Sequence, residues 1–245
     1  MTTLVLLHPF PFDSGLFQFQ LDALKSVAHV VAIDLPGFGS EQPVSGISCN
    51  AMADRVIEAC QARGIEQAVV GGVSMGGYVT LALARRHPQF VTGLILADTR
   101  AEPDDETARA NRAKAIETVR TQGVSAFVDA QIPKVTGTTT QRENSDRIAW
   151  IRKVGQRQSQ VGVISGIEML RDRPDARPGL PSIKVPTLIV VGEEDVVTPL
   201  AAAQAMASSI ASSTLVTIPR AGHLAHCERP DEFNAAVSEF LKTVG

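Results

Sequence analysis

The chain has 245 residues, 44% of them hydrophobic, and a formal net charge of −3. That size and apolar content suit one large α/β domain with a full core, and the mild acidity gives no electrostatic reason to expect nucleic acid or an anionic membrane as a partner. No apolar run approaches the ~18 residues of a membrane-spanning helix. The first residues read as a strand, not a leader, and Cys49, Cys60 and Cys227 lack metal-type spacing and read as reduced thiols of a cytoplasmic protein.

In chain order, residues 4–7 form a first apolar strand that runs into His8-Pro9-Phe10-Pro11-Phe12, where two prolines force an extended loop. Asp13 or Ser14 is placed to cap the next helix. His29–Ile33 is a second strand, closed by the turn-rich loop 34–40. A helix is expected over about 48–63 with Gly64 as its stop. The third strand follows, then a sharp turn at Gly71-Gly72-Val73-Ser74-Met75-Gly76-Gly77, a helix ending at His87-Pro88, and a fourth strand over 93–97. Strands alternating with helices at this spacing predict a parallel, doubly wound sheet.

The alternation stops after residue 100. Residues 101–184 contain no clear buried strand but four amphipathic helical stretches, at 104–121, 124–131, 141–156 and 158–171. A segment so long is no loop, so a helical cap over 101–184 is expected, inserted into a core domain made of 1–100 and 185–245. Residues 172–181 are the return linker. A fifth strand (185–191), a loop, a helix opened by Thr198 as cap and Pro199, a sixth strand (214–218) and a last helix from Arg229 or Pro230 to Lys242 complete the chain.

In such a sheet, reactive groups collect at the C-terminal strand ends, which here supply His8, Asp34, Ser74, Asp98, Asp195 and His223. Gly72-x-Ser74-x-Gly76, between a strand and a helix, has the nucleophile-elbow pattern. A serine nucleophile needs a base to take its proton and an acid to orient that base. The chain order Ser74, Asp195, His223 matches that requirement.

On these residues the chain resembles the α/β-hydrolases of the small esterase and lactonase type. His8-Pro9-Phe10-Pro11 resembles their oxyanion loop and Asp34-x-Pro36-Gly37-x-Gly39 the loop after the next strand. Gly192-x-x-Asp195-x-x-x-Pro199 resembles the acid loop, and Gly222-His223-x-x-x-x-Glu228-x-Pro230 the histidine loop. The resemblance implies an α/β-hydrolase fold with Ser74 as nucleophile, His223 as base and Asp195 as acid. The N–H groups of Phe10 and Met75 then form the oxyanion hole, and neither cofactor nor metal is needed. Pro9 departs from the usual glycine and stiffens that loop. Because the chain begins directly at the His8 strand, without the family's N-terminal hairpin, six strands are expected instead of eight.

The implied substrate is a small to medium carboxylic ester, with a lactone, including an enol-lactone of the 3-oxoadipate kind, as the alternative. C–C bond hydrolysis, cofactor-free perhydrolysis and a non-catalytic ligand receptor fit the same fold. Phe12, Trp150 and Leu224 are candidates for the substrate pocket. Asp98 and Glu194 compete with Asp195 for the acid position, and Cys227 with Ser74 as nucleophile. The plainer readings make Asp98 an anchor with Arg100 as a partner, Cys227 a packing residue, and His226 a packing or substrate-side residue. His8 and Asp34 fasten loops, His87 is structural, and the acidic run 102–106 is a solvated helix start.

Overall fold

The computed structural model describes residues 1–244. Six strands, β1 (Thr3–Leu7), β2 (His29–Ile33), β3 (Ala68–Val73), β4 (Val91–Ala97), β5 (Thr187–Gly192) and β6 (Ser213–Ile218), form one sheet in the order β2-β1-β3-β4-β5-β6. Every neighbouring pair is parallel. All six residues of β3 and all six of β5 are buried, as expected of inner strands with helices on both faces. The outer strands β2 and β6 are half-exposed. The strand order reverses between β1 and β3, so the loops after these two strands open a crevice at the sheet's C-terminal edge.

The strand parity sorts the core into two layers. Val5, Leu7, Val70 and Leu94 face α2 (Cys49–Gln61) and α3 (Met75–Arg86). Leu4, Leu6, Val69 and Ile95 face α1 (Gln18–Leu24) and α10 (Pro230–Leu241) through Leu24, Phe233, Val237 and Phe240. Between these elements lie α8 (Leu200–Ser209) and a short α9 (Ala225–Glu228) that the sequence reading did not anticipate. The start of α8 also differs from expectation. Its N-cap position is Pro199, with no side-chain cap bond, because the Thr198 hydroxyl is used elsewhere.

Four helices separate β4 from β5: α4 (Glu106–Val135), α5 (Thr138–Glu143), α6 (Ser145–Gln156) and α7 (Gln160–Asp172). The chain of α4 bends at Gly123, whose φ of 84° is outside the helical range, and then continues to Val135. The stretch expected as one helix over 141–156 is two. Asn144 breaks it and accepts the Arg147 N–H to cap α6. The return segment holds a 3-10 turn at Arg177–Ser182. None of the described helices is long and apolar enough to cross a membrane.

The acidic run before α4 is not simply a solvated helix start. Asp105 does cap α4 through the Ala108 N–H, but Asp104 is buried. Its carboxylate meets Arg173 Nη1 at 2.6 Å and Arg112 Nε at 2.9 Å, with Arg100 Nη2 at 3.7 Å. This cluster joins the chain leaving the sheet to the chain returning to it, and it takes the Arg100 side chain that was expected to partner Asp98.

Candidate active site

Ser74 lies between the last residue of β3 and the first of α3, with φ 52° and ψ −111°. A non-glycine residue in this region is strained, and its surroundings must hold it there. The Ser74 N–H donates to Ala97 O at 2.9 Å, and the Ser74 carbonyl accepts from the Thr99 hydroxyl at 2.9 Å and from Gly77 N–H. Gly76 is required for close approach: a Cβ there would run into the Leu7 carbonyl of β1. The strand–turn–helix packing thus dictates both glycines of the motif and the placement of the hydroxyl.

His223 reaches this hydroxyl from the loop after β6, with Nε2 2.7 Å from Ser74 Oγ. Its other ring nitrogen is 2.8 Å from Asp195 Oδ2. An Nδ1–H donated to the carboxylate leaves Nε2 as the acceptor for the serine proton. Asp195 also accepts from Val197 N–H (2.8 Å), Thr198 N–H (2.9 Å) and the Thr198 hydroxyl (2.7 Å). Burial pushes its carboxyl up, but the His223 ring and these donors outweigh burial and hold it below the usual carboxylate range. The Thr198 hydroxyl lies 3.2 Å from His223 Nδ1 as well. Sequence reasoning gave this side chain to helix capping; its position three residues after Asp195 was the available signal.

Asp98 does not touch the imidazole. It is fully buried, accepting from Gly192 N–H (2.8 Å) before the acid loop and from Ala225 N–H (3.0 Å) after His223. Burial, and the nearby Asp195 charge, push its carboxyl well above the ordinary value. Glu194 faces away, toward Thr138 and Thr139. Cys227 is buried, with its Sγ directed at Leu224 O at 3.4 Å and its thiol pushed up by burial, the opposite of an activated thiolate. His226 packs between Phe17 and Phe233, and neither of its ring nitrogens has a partner among the described residues.

The loop after β1 is fastened at both ends. His8 Nε2 accepts the Leu35 N–H (2.9 Å) while Nδ1 donates to Pro9 O (3.0 Å). Asp34 accepts from Ser14 N–H and from Ser40 N–H and hydroxyl. Pro9 to Phe12 form a turn, Phe12 N–H donating to Pro9 O at 3.1 Å, with a cis Phe10–Pro11 bond. The N–H groups of Phe10 and Met75 donate to no protein acceptor among the described residues. That of Met75 is the first of α3, where the helix offers no partner.

Of the pocket candidates, Phe12 and Leu224 are fully buried. Trp150 is half-buried, its ring 5.3 Å from that of Phe19, and the Arg147 guanidinium lies over both. Phe10 packs edge-on against Phe38 and Phe127. A cavity of about 520 Å³ lies along α3, lined by Tyr78, Ala82, Arg100, Arg173 and Leu180 among others; none of Ser74, Asp195 and His223 borders it. Its size therefore says nothing about the chemistry at Ser74. Among the described residues no group of three metal-ligating side chains is placed to hold an ion.

Comparison with known proteins found that a model of the alpha/beta hydrolase family matches residues 4–236. A thermophilic esterase from Thermogutta terrifontis, solved with malate bound, superposes with a TM-score of 0.96 at 36% identity, over 100% of this chain and 90% of that one. The enol-lactonase from Burkholderia xenovorans gives a TM-score of 0.91 at 28% identity, over 98% and 91%. Among sequences, 3-oxoadipate enol-lactonase 1 of Acinetobacter baylyi is 28% identical, over 95% of this chain and 85% of its own.

Proposed function

Since this chain belongs to the alpha/beta hydrolase family, we propose that it cleaves small to medium carboxylic esters through an acyl-enzyme on Ser74. The observation that carries this reading is the continuous relay from Asp195 through His223 to Ser74, with contacts of 2.8 and 2.7 Å. His223 Nε2 takes the hydroxyl proton as Ser74 Oγ adds to the ester carbonyl. Asp195 holds the imidazole in its tautomer and stabilises the imidazolium. The oxyanion is held by the free N–H groups of Phe10 and Met75, each worth about 3 kcal/mol by the cost of deleting such a donor elsewhere. The tetrahedral intermediate then collapses: the ester C–O bond breaks, the imidazolium protonates the leaving alkoxide, and the acyl group stays on Ser74 Oγ. Water, deprotonated by His223, adds to the acyl carbonyl and releases the acid and the free serine. The helices between β4 and β5 serve as the cap over this site, and three unpaired buried cysteines fit a reducing, cytoplasmic setting.

Replacing Ser74 by Ala tests this. Hydrolysis of a short p-nitrophenyl ester and labelling by a fluorophosphonate should fall by at least about 10⁴-fold while the far-ultraviolet circular dichroism is unchanged. Retained turnover removes Ser74 from the mechanism. The likeness to the two enol-lactonases supports a lactone as the second reading, since ring opening uses the same steps. Comparing kcat/KM across linear esters of increasing acyl length and a lactone panel separates the two.

A further inference from the structure

The junction between α4 and α5, residues 137–139, touches both loops that carry the candidate base and acid. Gly137 N–H donates to Glu228 Oε2 at 2.8 Å. The other oxygen of that carboxylate accepts from Gly222 N–H at 3.0 Å and Leu224 N–H at 3.1 Å, the amides on either side of His223. One buried side chain, 2% exposed, therefore fixes the peptide planes that aim the imidazole and ties them to the inserted helices. Next to Asp195, Glu194 accepts from Thr139 N–H at 2.8 Å, from the Thr138 hydroxyl at 3.0 Å and from the Thr139 hydroxyl. A Cβ on Gly137 would lie 2.6 Å from Glu194 Oε2 and 2.7 Å from Gly222 N. The two backbones meet with no room for a side chain.

Resting on the reading of Ser74, Asp195 and His223 given above, we propose that Glu228 and Glu194 are positioning residues. Each anchors one catalytic loop to the same three-residue junction, so the relay is in full register with Ser74 only while the inserted helices are seated. The physical ground is the steep dependence of catalysis on placement: a displacement of about 1 Å at a reacting group costs on the order of 10²-fold in rate. Removing the Glu228 carboxylate leaves the two amides beside His223 without an acceptor, and the loop must relax to find one. Asp98, which also bonds Ala225 N–H, holds the histidine loop to the sheet but not to the inserted helices. Among the described residues, the hydrogen bonds from these loops to the inserted helices run through the two glutamates.

The test uses the full chain, with Glu228→Gln, Glu194→Gln, Thr139→Val and the Glu194→Gln/Thr139→Val pair, and Ser74→Ala in parallel. A glutamine at 228 cannot accept from all three amides, because one end of its side chain becomes a donor. Well below the melting temperature, Glu228→Gln should lower kcat and the fluorophosphonate labelling rate by about 10- to 100-fold, with KM changed less than about threefold. Glu194→Gln and Thr139→Val should each lower kcat severalfold, and the pair should be no slower than the worse single variant, since both cut the same tie. Wild-type kcat in a folded Glu228→Gln, or losses in the pair that multiply, overturns the proposal. Should Glu228→Gln not fold, the Glu194–Thr139 cycle decides alone. Wild-type activity in Ser74→Ala defeats the reading of the site itself; an inactive Ser74→Ala beside fully active glutamate variants defeats only the positioning role.

Discussion

Asp195 keeps its charge in a buried setting because a ring N–H, two backbone N–H groups and one hydroxyl converge on it. The hydroxyl is the removable member. Thr198→Val keeps the side-chain volume but deletes a bond to an ionised acceptor, a class worth about 1.5–3 kcal/mol. The expected result is roughly a tenfold drop in kcat/KM on a p-nitrophenyl ester and a smaller midpoint in urea; unchanged kinetics would show that the remaining donors suffice. His226 offers a pH test. Burial first, then the His223 and Arg147 charges, push its ring down to about 3. Its folded value is below the ordinary one near 6.5, so the unfolded chain binds the proton more readily. Its contribution is neutral above about pH 6.5, and stability is lost as pH falls toward 3. Relative to His226→Phe, wild type should lose about 2–3 kcal/mol between pH 7.5 and 4.5 in paired urea titrations. A constant difference across that range would mean that the ring titrates normally in the fold. Neither ring nitrogen has a partner among the described residues, so an apolar ring is expected to be tolerated there.

At the scale of elements, the crossings between sheet and inserted helices depend on Asp104. Burial raises its carboxyl, but Arg112 and Arg173 outweigh that and hold it below the usual range. Its contribution is therefore complete above about pH 4 and lost as pH falls through the depressed value. Asp104→Ala strands the Arg173 guanidinium, 2% exposed, without its carboxylate, a loss of about 3–5 kcal/mol that equilibrium urea unfolding at pH 7 would read. A change below about 1 kcal/mol would mean that the cluster is already solvated in solution. The same cluster shows why the run 102–106 was misread. Clustered acidic residues at a helix start look solvated until a distant arginine, 69 residues on, covers one of them. Asn144 was misread for a related reason: apolar periodicity continues through it, whereas the backbone does not; the break at Gly123 falls between the two stretches expected at 104–121 and 124–131.

Across the whole molecule, one hydrophobic core runs from the sheet into the insertion. Val5, Leu7 and Met75 share a cluster with Phe127, Ile132, Ile151 and Val163. The inserted helices cannot open fully without exposing that surface, at about 25 cal/mol per Å². The single tryptophan, Trp150, sits on α6 against Phe19 of α1 and reports on the seating of the insertion against the sheet domain. Its fluorescence transition in urea should coincide with the far-ultraviolet signal of the whole chain; a tryptophan transition at lower urea would show that the insertion melts independently. Among the described residues the β2 edge has no neighbouring strand, but it is only five residues long, which limits strand addition.

The order of the elements, the six parallel strands and the elbow at Ser74 were legible in the residues because they rest on local rules: apolar runs of strand length, glycines where a Cβ cannot fit, and reactive groups at strand ends. The three side chains nominated on that basis meet within hydrogen-bond distance. The partners of Thr198, Asp104, Glu194 and Glu228 were decided only by the tertiary structure. Each is a polar group whose bonding need can be met by many donors in a linear chain, and burial among distant segments selects which donor remains.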